Sequence, residues 1–143
     1  MRTIKQLLEG KAPQIWSVEP GSSVYDAMKL MSEKDVGALL VMNGDKLSGL
    51  FSERDYARKV ILMDRSSRDT RVEEIMTRKV YTTHPDDTVQ HCMGVMTSNR
   101  FRHLPVVDNN EKILGMVSIG DLVKSVIDEQ QFQIEQLEQY INS

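Results

Sequence analysis

The sequence predicts an α+β fold built from two pseudo-symmetric repeats, each running strand-helix-strand-strand-helix, with a helical extension at the C-terminus. Three observations predict it. Pro20, Val24, Met28, Met31, Leu39 and Val41 recur 65 positions later as Pro85, Val89, Met93, Met96, Leu104 and Val106. Past a turn near Asn109 the offset becomes 66, which sets Gly49, Ser52, Asp55, Val60 and Ile61 on Gly115, Ser118, Asp121, Val126 and Ile127. Within each repeat, apolar residues step by three and four and then give way to short unbroken apolar runs, a helix followed by buried strands. A period this long that occurs twice indicates a pseudo-symmetric pair, since solenoid units are shorter and more numerous.

Each element follows from local chemistry. Ile15 to Val18 is a short apolar strand, and Pro20 and Gly21 turn the chain. Ser22 or Ser23 caps a helix that carries Val24, Ala27, Met28 and Met31 on one face. Ala38 to Met42 is the second strand, and Asn43-Gly44 folds it back as a hairpin into Leu47 to Phe51. A helix follows Asp55. Asp64 to Thr70 is a polar connection, and Val72, Ile75 and Met76 form a short helical turn. The second repeat substitutes Asp87 or Thr88 as cap and Val89, Cys92, Met93 and Met96 as the helical stripe. Leu104 to Val107, an Asp108-Asn109-Asn110 turn and Ile113 to Val117 supply its hairpin, and a helix follows Asp121. The tail sets Val123, Ile127, Gln130, Ile134, Leu137 and Ile141 along one helical seam, expected to pack on Ile4, Leu7 and Leu8 or on a second chain. The organisation is one module over 1–143, with repeats at 10–63 and 71–128 and an extension at 129–143.

Composition narrows the function. Eighteen Lys plus Arg against 21 Asp plus Glu give a formal charge of −3, without the basic excess that nucleic-acid binding needs. The N-terminus lacks the continuous apolar run of a signal peptide, and nothing later approaches a membrane span, so a cytoplasmic protein is expected. The single cysteine, Cys92, aligns with Ala27 on an apolar helix face and reads as a buried core residue.

Each repeat ends in Ser-x-x-Asp: Ser52 to Asp55, and Ser118 to Asp121. Either phrase alone reads as a helix cap. Together with EEIMT before the second repeat, RHLPVVD at 102 to 108, and the paired endings GLFSERD and GMVSIGD, they resemble a tandem pair of cystathionine-beta-synthase (CBS) domains, a Bateman module, over roughly residues 10 to 128. The resemblance implies a stand-alone regulatory module that binds adenine nucleotides between its repeats without turnover and passes their level to an unidentified regulated protein. It implies that Asp55 and Asp121 accept the ribose hydroxyls and that Ser52 and Ser118 donate to phosphate or ribose, aided by free amides at the helix start. It also implies an adenine pocket formed by Val18, Gly37, Ala38, Leu39, Thr83, Leu104 and Pro105. Arg54, Arg58, Lys59, Arg102 and His103 are the phosphate candidates, Arg102 foremost, and their other reading is solvated surface charge. They favour phosphate-bearing ligands over the cationic S-adenosylmethionine. AMP or NAD is preferred to ADP or ATP, because five basic residues shared by two clefts are few for a triphosphate. Paired CBS modules also imply a homodimer.

Two other classes compete with this one. A metal enzyme is suggested by His84, His91, Cys92 and His103, but they lack HExxH or CxxC spacing. Ser52 and Ser118 have no recognisable base or nucleophile elbow, so no enzyme is expected. A dimerisation scaffold with empty clefts is the alternative that the tail seam suggests.

Overall fold

The computed structural model describes residues 2–10 and 15–142. In chain order it comprises α1 (Ile4–Glu9), β1 (Ser17–Val18), α2 (Val24–Lys34), β2 (Ala38–Asn43), β3 (Lys46–Ser52), α3 (Glu53–Tyr56), a π-helical turn (Ala57–Ile61), α4 (Val72–Ile75), α5 (Val89–Asn99), β4 (His103–Val107), β5 (Ile113–Ser118) and α6 (Ile119–Asn142). The chain divides into a first-repeat unit, 15–81, and a second-repeat unit made of 1–14 and 82–143.

In the first-repeat unit β1 pairs in parallel with β2, and β2 runs antiparallel to β3. Ser23 caps α2 by accepting the Asp26 amide, and the helix stripe lays Val24, Ala27 and Met31 into a core with Leu39, Val41, Phe51 and Val60. β2 is buried along four consecutive residues, which is why its sequence is an unbroken apolar run. Gly44 takes the left-handed conformation, φ 62°, in the turn into β3.

The second-repeat unit repeats this plan with β4 against β5, and its first strand shrinks to one parallel bridge, Thr83 to Val106. Thr88 is the cap of α5, accepting the His91 amide. Both hairpins carry a bulge at the same point, after Val41 and after Val106. Val41 faces Gly49 and Val106 faces Gly115, so the residue that changes the repeat offset lies in the turn beyond the bulge. There Glu111 adopts φ 62°, and the Asp108 carboxylate accepts the amides of Asn110 and Lys112.

The short helices complete the units in exchanged order. α4 precedes the second repeat in sequence yet belongs to the first-repeat core through Val72, Ile75 and Met76. α1 precedes the first repeat, and its Ile4 is fully buried in the second-repeat core. The backbone bonds match pair by pair. Val72 donates to the Ser22 carbonyl at 2.8 Å, Glu73 to Pro20 at 3.0 Å, and Val24 to Thr70 at 2.9 Å. Ile4 donates to the Asp87 carbonyl at 2.8 Å, Lys5 to Pro85 at 2.9 Å, and Val89 to Arg2 at 3.0 Å.

Of the two places the sequence suggested for the tail seam, it does not pack on Ile4, Leu7 and Leu8. Ile4 shares its core with Leu122, and Leu7 and Leu8 pack against that same core. The later seam stays exposed, with Ile127 at 57%, Ile134 at 48%, Leu137 at 61% and Ile141 at 76%. α6 simply continues from the second repeat through 24 residues, about 36 Å at 1.5 Å per residue.

Candidate functional site

Each Ser-x-x-Asp sits where an edge strand turns into a helix, and each forms the reciprocal cap its residue types permit. In the first-repeat unit the Ser52 Oγ accepts the Asp55 amide at 3.2 Å, while Asp55 Oδ2 accepts the Ser52 amide at 3.0 Å and its hydroxyl at 3.1 Å. In the second-repeat unit Ser118 Oγ accepts the Asp121 amide at 3.1 Å, and Asp121 Oδ2 accepts the Ser118 amide at 2.9 Å. A further amide is used at each corner: Glu53 donates to the Gly37 carbonyl at 3.1 Å and Ile119 to the Arg102 carbonyl at 2.9 Å. Two of the helix-start amides that the sequence offered to phosphate are therefore engaged within each unit.

The two corners differ beyond the cap. Asp55 is buried, 7% exposed. Its Oδ1 lies 3.1 Å from Lys59 Nζ and accepts the Thr77 hydroxyl at 3.2 Å. Lys59 also donates to the Ile75 carbonyl at 3.1 Å. Thr77 reaches Asp55 because its backbone exchanges two 2.9 Å bonds with Leu50. Asp121 is half-buried, and Ser125 stands in the place of Lys59; it is buried, with Arg2 Nη1 3.5 Å from its Oγ. Thr77 and Arg2 were missed in the sequence. Thr77 ends the EEIMT phrase, and Arg2 falls opposite Thr70 when residues 2–8 are set on 70–76, a third stretch of the repeat.

The remaining candidates divide between the two units. Arg54 and Arg58 are exposed on the first-repeat helix, Arg102 is exposed just before β4, and His103 is half-buried opposite Ser118. Leu39 and Leu104 are fully committed to the two cores, and Ala38 is buried at 1% exposure. Pro105 is buried, while Val18 and Gly37 are half-buried. Thr83 is engaged throughout: its amide donates to Pro105, its carbonyl accepts from Val107, and its hydroxyl donates to Asp87 Oδ2 at 2.6 Å and lies 3.1 Å from Cys92 Sγ. Burial pushes the Cys92 thiol above its ordinary value, with the Thr83 hydroxyl opposing.

Two surface depressions lie in the first-repeat unit. One, about 340 Å³, is lined by Tyr25, Met28, Lys29, Ser32, Glu33, Tyr56 and Ser67, and the other, about 400 Å³, lies around Glu19, Asn43 and Glu73. Neither includes Ser52 or Asp55. Among the described residues no three His, Cys, Asp or Glu side chains converge as a metal site requires. His91 is exposed and Cys92 buried, so these neighbours on α5 do not share a face. No helix among the described residues is long and apolar enough to cross a membrane.

The model of the CBS domain matches residues 11–62 and 72–128, most of the chain. The chain belongs to the CBS-domain family. A CBS-domain protein of Burkholderia ambifaria MC40-6 is 53% identical, with a TM-score of 0.87 over 90% of this chain and 96% of that one. The mitochondrial CBS domain-containing protein CBSX3 of Arabidopsis thaliana is 44% identical over 83% of this chain, which spans 60% of that relative's length. The CBS domain pair of protein MJ0100 is 24% identical, with a TM-score of 0.80 over 90% of this chain and 98% of that one, and was crystallised with 5′-methylthioadenosine and S-adenosyl-L-methionine. The fold is thus that of a CBS pair, a regulatory class of module.

Proposed function

We propose that this CBS pair senses adenine nucleotides, AMP or NAD foremost, and holds them without turnover at its Ser-x-x-Asp corners. The carrying observation is the twin geometry. Two units whose helices, hairpins and surface charges have diverged still keep a carboxylate anchored by the amide of its own cap residue, at 3.0 and 2.9 Å. A carboxylate fixed in this way is a preorganised acceptor for a vicinal diol, and each charge-assisted bond contributes roughly 1.5–3 kcal/mol. The adenosine-containing ligands of the MJ0100 pair support the ligand class. Arg54, Arg58, Lys59, Arg102 and His103 support a phosphate-bearing member of it, with side chains rather than helix-start amides meeting the phosphate.

A dimerisation scaffold is the second reading, and the exposed Ile127, Ile134, Leu137 and Ile141 favour it. One experiment separates the two: a thermal-shift panel of AMP, NAD, ADP, ATP and S-adenosylmethionine, run beside sedimentation over a range of protein concentrations. A ligand at about 100 times its Kd stabilises the folded chain by roughly 2.7 kcal/mol. Loss of that shift in Asp55→Ala or Asp121→Ala assigns the corner. No shift with any ligand, accompanied by concentration-dependent dimerisation, leaves the scaffold.

A further inference from the structure

The first-repeat corner holds its own cation. Lys59 Nζ lies 3.1 Å from Asp55 Oδ1 and 3.1 Å from the Ile75 carbonyl, and the Thr77 hydroxyl donates to the same Oδ1 at 3.2 Å. The Ser52 amide and hydroxyl take the other oxygen. A ribose diol arriving here meets a carboxylate whose acceptor positions are occupied by groups of the protein.

Lys59 stands four residues after Asp55, and the backbone around it is not a regular α-helix. Leu62 donates to the Ala57 carbonyl at 3.1 Å, a wide bond that skips four residues, and the helix then ends in a Schellman cap, with Asp64 left-handed and Arg65 donating to the Val60 carbonyl at 2.9 Å. Such π turns are rare and concentrate at functional positions. The widened turn carries Val60 fully into the core and leaves Lys59 45% exposed, with its ammonium on Asp55. In the second-repeat unit α6 passes the same point as an ordinary α-helix, and there Ser125 is buried and Val126 only half-buried. A regular helical turn in the first repeat would have directed the residue at 59 towards the core, where an ammonium is costly.

We propose that Lys59 is a built-in competitor that makes the first-repeat corner selective for anionic nucleotides over uncharged nucleosides. This rests on the reading of the Ser-x-x-Asp corners as nucleotide sites. An uncharged nucleoside must displace the ammonium from Asp55 and offers it nothing in return. A nucleotide brings a phosphate, so the displaced lysine exchanges one anion for another, and the ligand's charge becomes the condition of entry. A site whose open form is only a fraction of the population binds more weakly by that fraction.

The test is calorimetric titration of Asp121→Ala protein, which leaves the first-repeat corner, with AMP and with adenosine. AMP is expected to bind at least about tenfold more tightly. Lys59→Met is expected to tighten adenosine by about fivefold, the range of a partly exposed ion pair, and to weaken AMP, collapsing the ratio. Lys59→Arg is expected to keep the preference. Lys59→Gln, checked for an unchanged melting profile, repeats the test should methionine disturb the π turn. An AMP-to-adenosine ratio that is the same with and without Lys59, in protein whose AMP binding is lost on Asp55→Ala, overturns the competitor and leaves the nucleotide reading standing. Binding by the parent but none by Asp121→Ala protein also overturns it, placing the ligand at Asp121 alone. Binding of neither ligand by any variant or by the parent overturns both readings together.

Discussion

Asp87 does more in the second-repeat unit than its position in a turn suggests. Its Oδ2 accepts the Thr83 hydroxyl at 2.6 Å and the His84 amide at 2.9 Å, and its carbonyl accepts the Ile4 amide at 2.8 Å. Partial burial is the largest single influence and raises the carboxyl's pKa. The His84 amide and the Thr83 hydroxyl, with the charges of His91 and His84, outweigh it, so the carboxyl lies below its ordinary value of 3.8. A folded-state pKa below the unfolded one means the stabilisation is fully present above the unfolded value and is lost as pH falls through the folded one. Asp87→Asn is therefore expected to lower stability near neutrality, by about 1.5–3 kcal/mol for hydrogen bonds to a charged group. Its deficit against the parent should shrink as pH drops below 3.8. Denaturant melts at pH 7 and pH 3 check this, and an undiminished gap at pH 3 refutes the charge-based account. The sequence left Asp87 and Thr88 as equal caps because either side chain can serve. Only the fold shows that Thr88 caps α5 while Asp87 ties the preceding loop to Thr83. The first repeat has Val18, Ser22 and Ala27 at the places of Thr83, Asp87 and Cys92, so this polar cluster belongs to one unit.

At the scale of elements, the repeated Gly49 and Gly115 find their reason in the exchanged helices. A Cβ on Gly49 would lie 2.6 Å from Met76 Sδ and 2.9 Å from the Thr77 carbonyl oxygen. On Gly115 it would lie 3.1 Å from Leu8 Cδ2. Met76 and Leu8 hold matching places after α4 and in α1, so each glycine admits one side chain of the exchanged segment. The two substitutions should differ in cost. Gly49→Ala meets backbone that cannot turn aside and is expected to destabilise by roughly 1–3 kcal/mol. Gly115→Ala meets only the tip of a leucine and should cost less than about 1 kcal/mol, offset in part by alanine's lower chain entropy when unfolded. Urea titrations of both variants provide the comparison; equal losses would show that the close approaches do not set the cost. The glycines were legible as a repeat, but their partners were not. The 2–8 against 70–76 correspondence rests on three apolar matches, Ile4 with Val72, Leu7 with Ile75 and Leu8 with Met76, too few to stand out without the paired backbone bonds.

For the whole molecule, the exchange predicts where the N-terminal residues matter. Deleting residues 1–9 removes buried Ile4, the Arg2 carbonyl that receives Val89, and the amides that reach Pro85 and Asp87. All of these belong to the second-repeat unit. Hydrogen exchange should then quicken at Val89 and along β4, while Val24 and Val72 in the first-repeat unit keep their protection. Loss confined to the first-repeat unit, which the deleted residues precede in sequence, would contradict the assignment. The sequence by itself determined the duplicated α+β plan, the core stripes, the hairpins and the two Ser-x-x-Asp corners. Those features arise from periodicity and turn chemistry acting over a few residues, and repetition doubles the signal. Tertiary structure alone decided that α1 and α4 are exchanged between units, that Thr77 reaches Asp55 from a distant segment, that the turn carrying Lys59 widens to a π turn, and that the tail seam stays uncovered. Each depends on which distant surfaces meet, and no local spacing of residues encodes that.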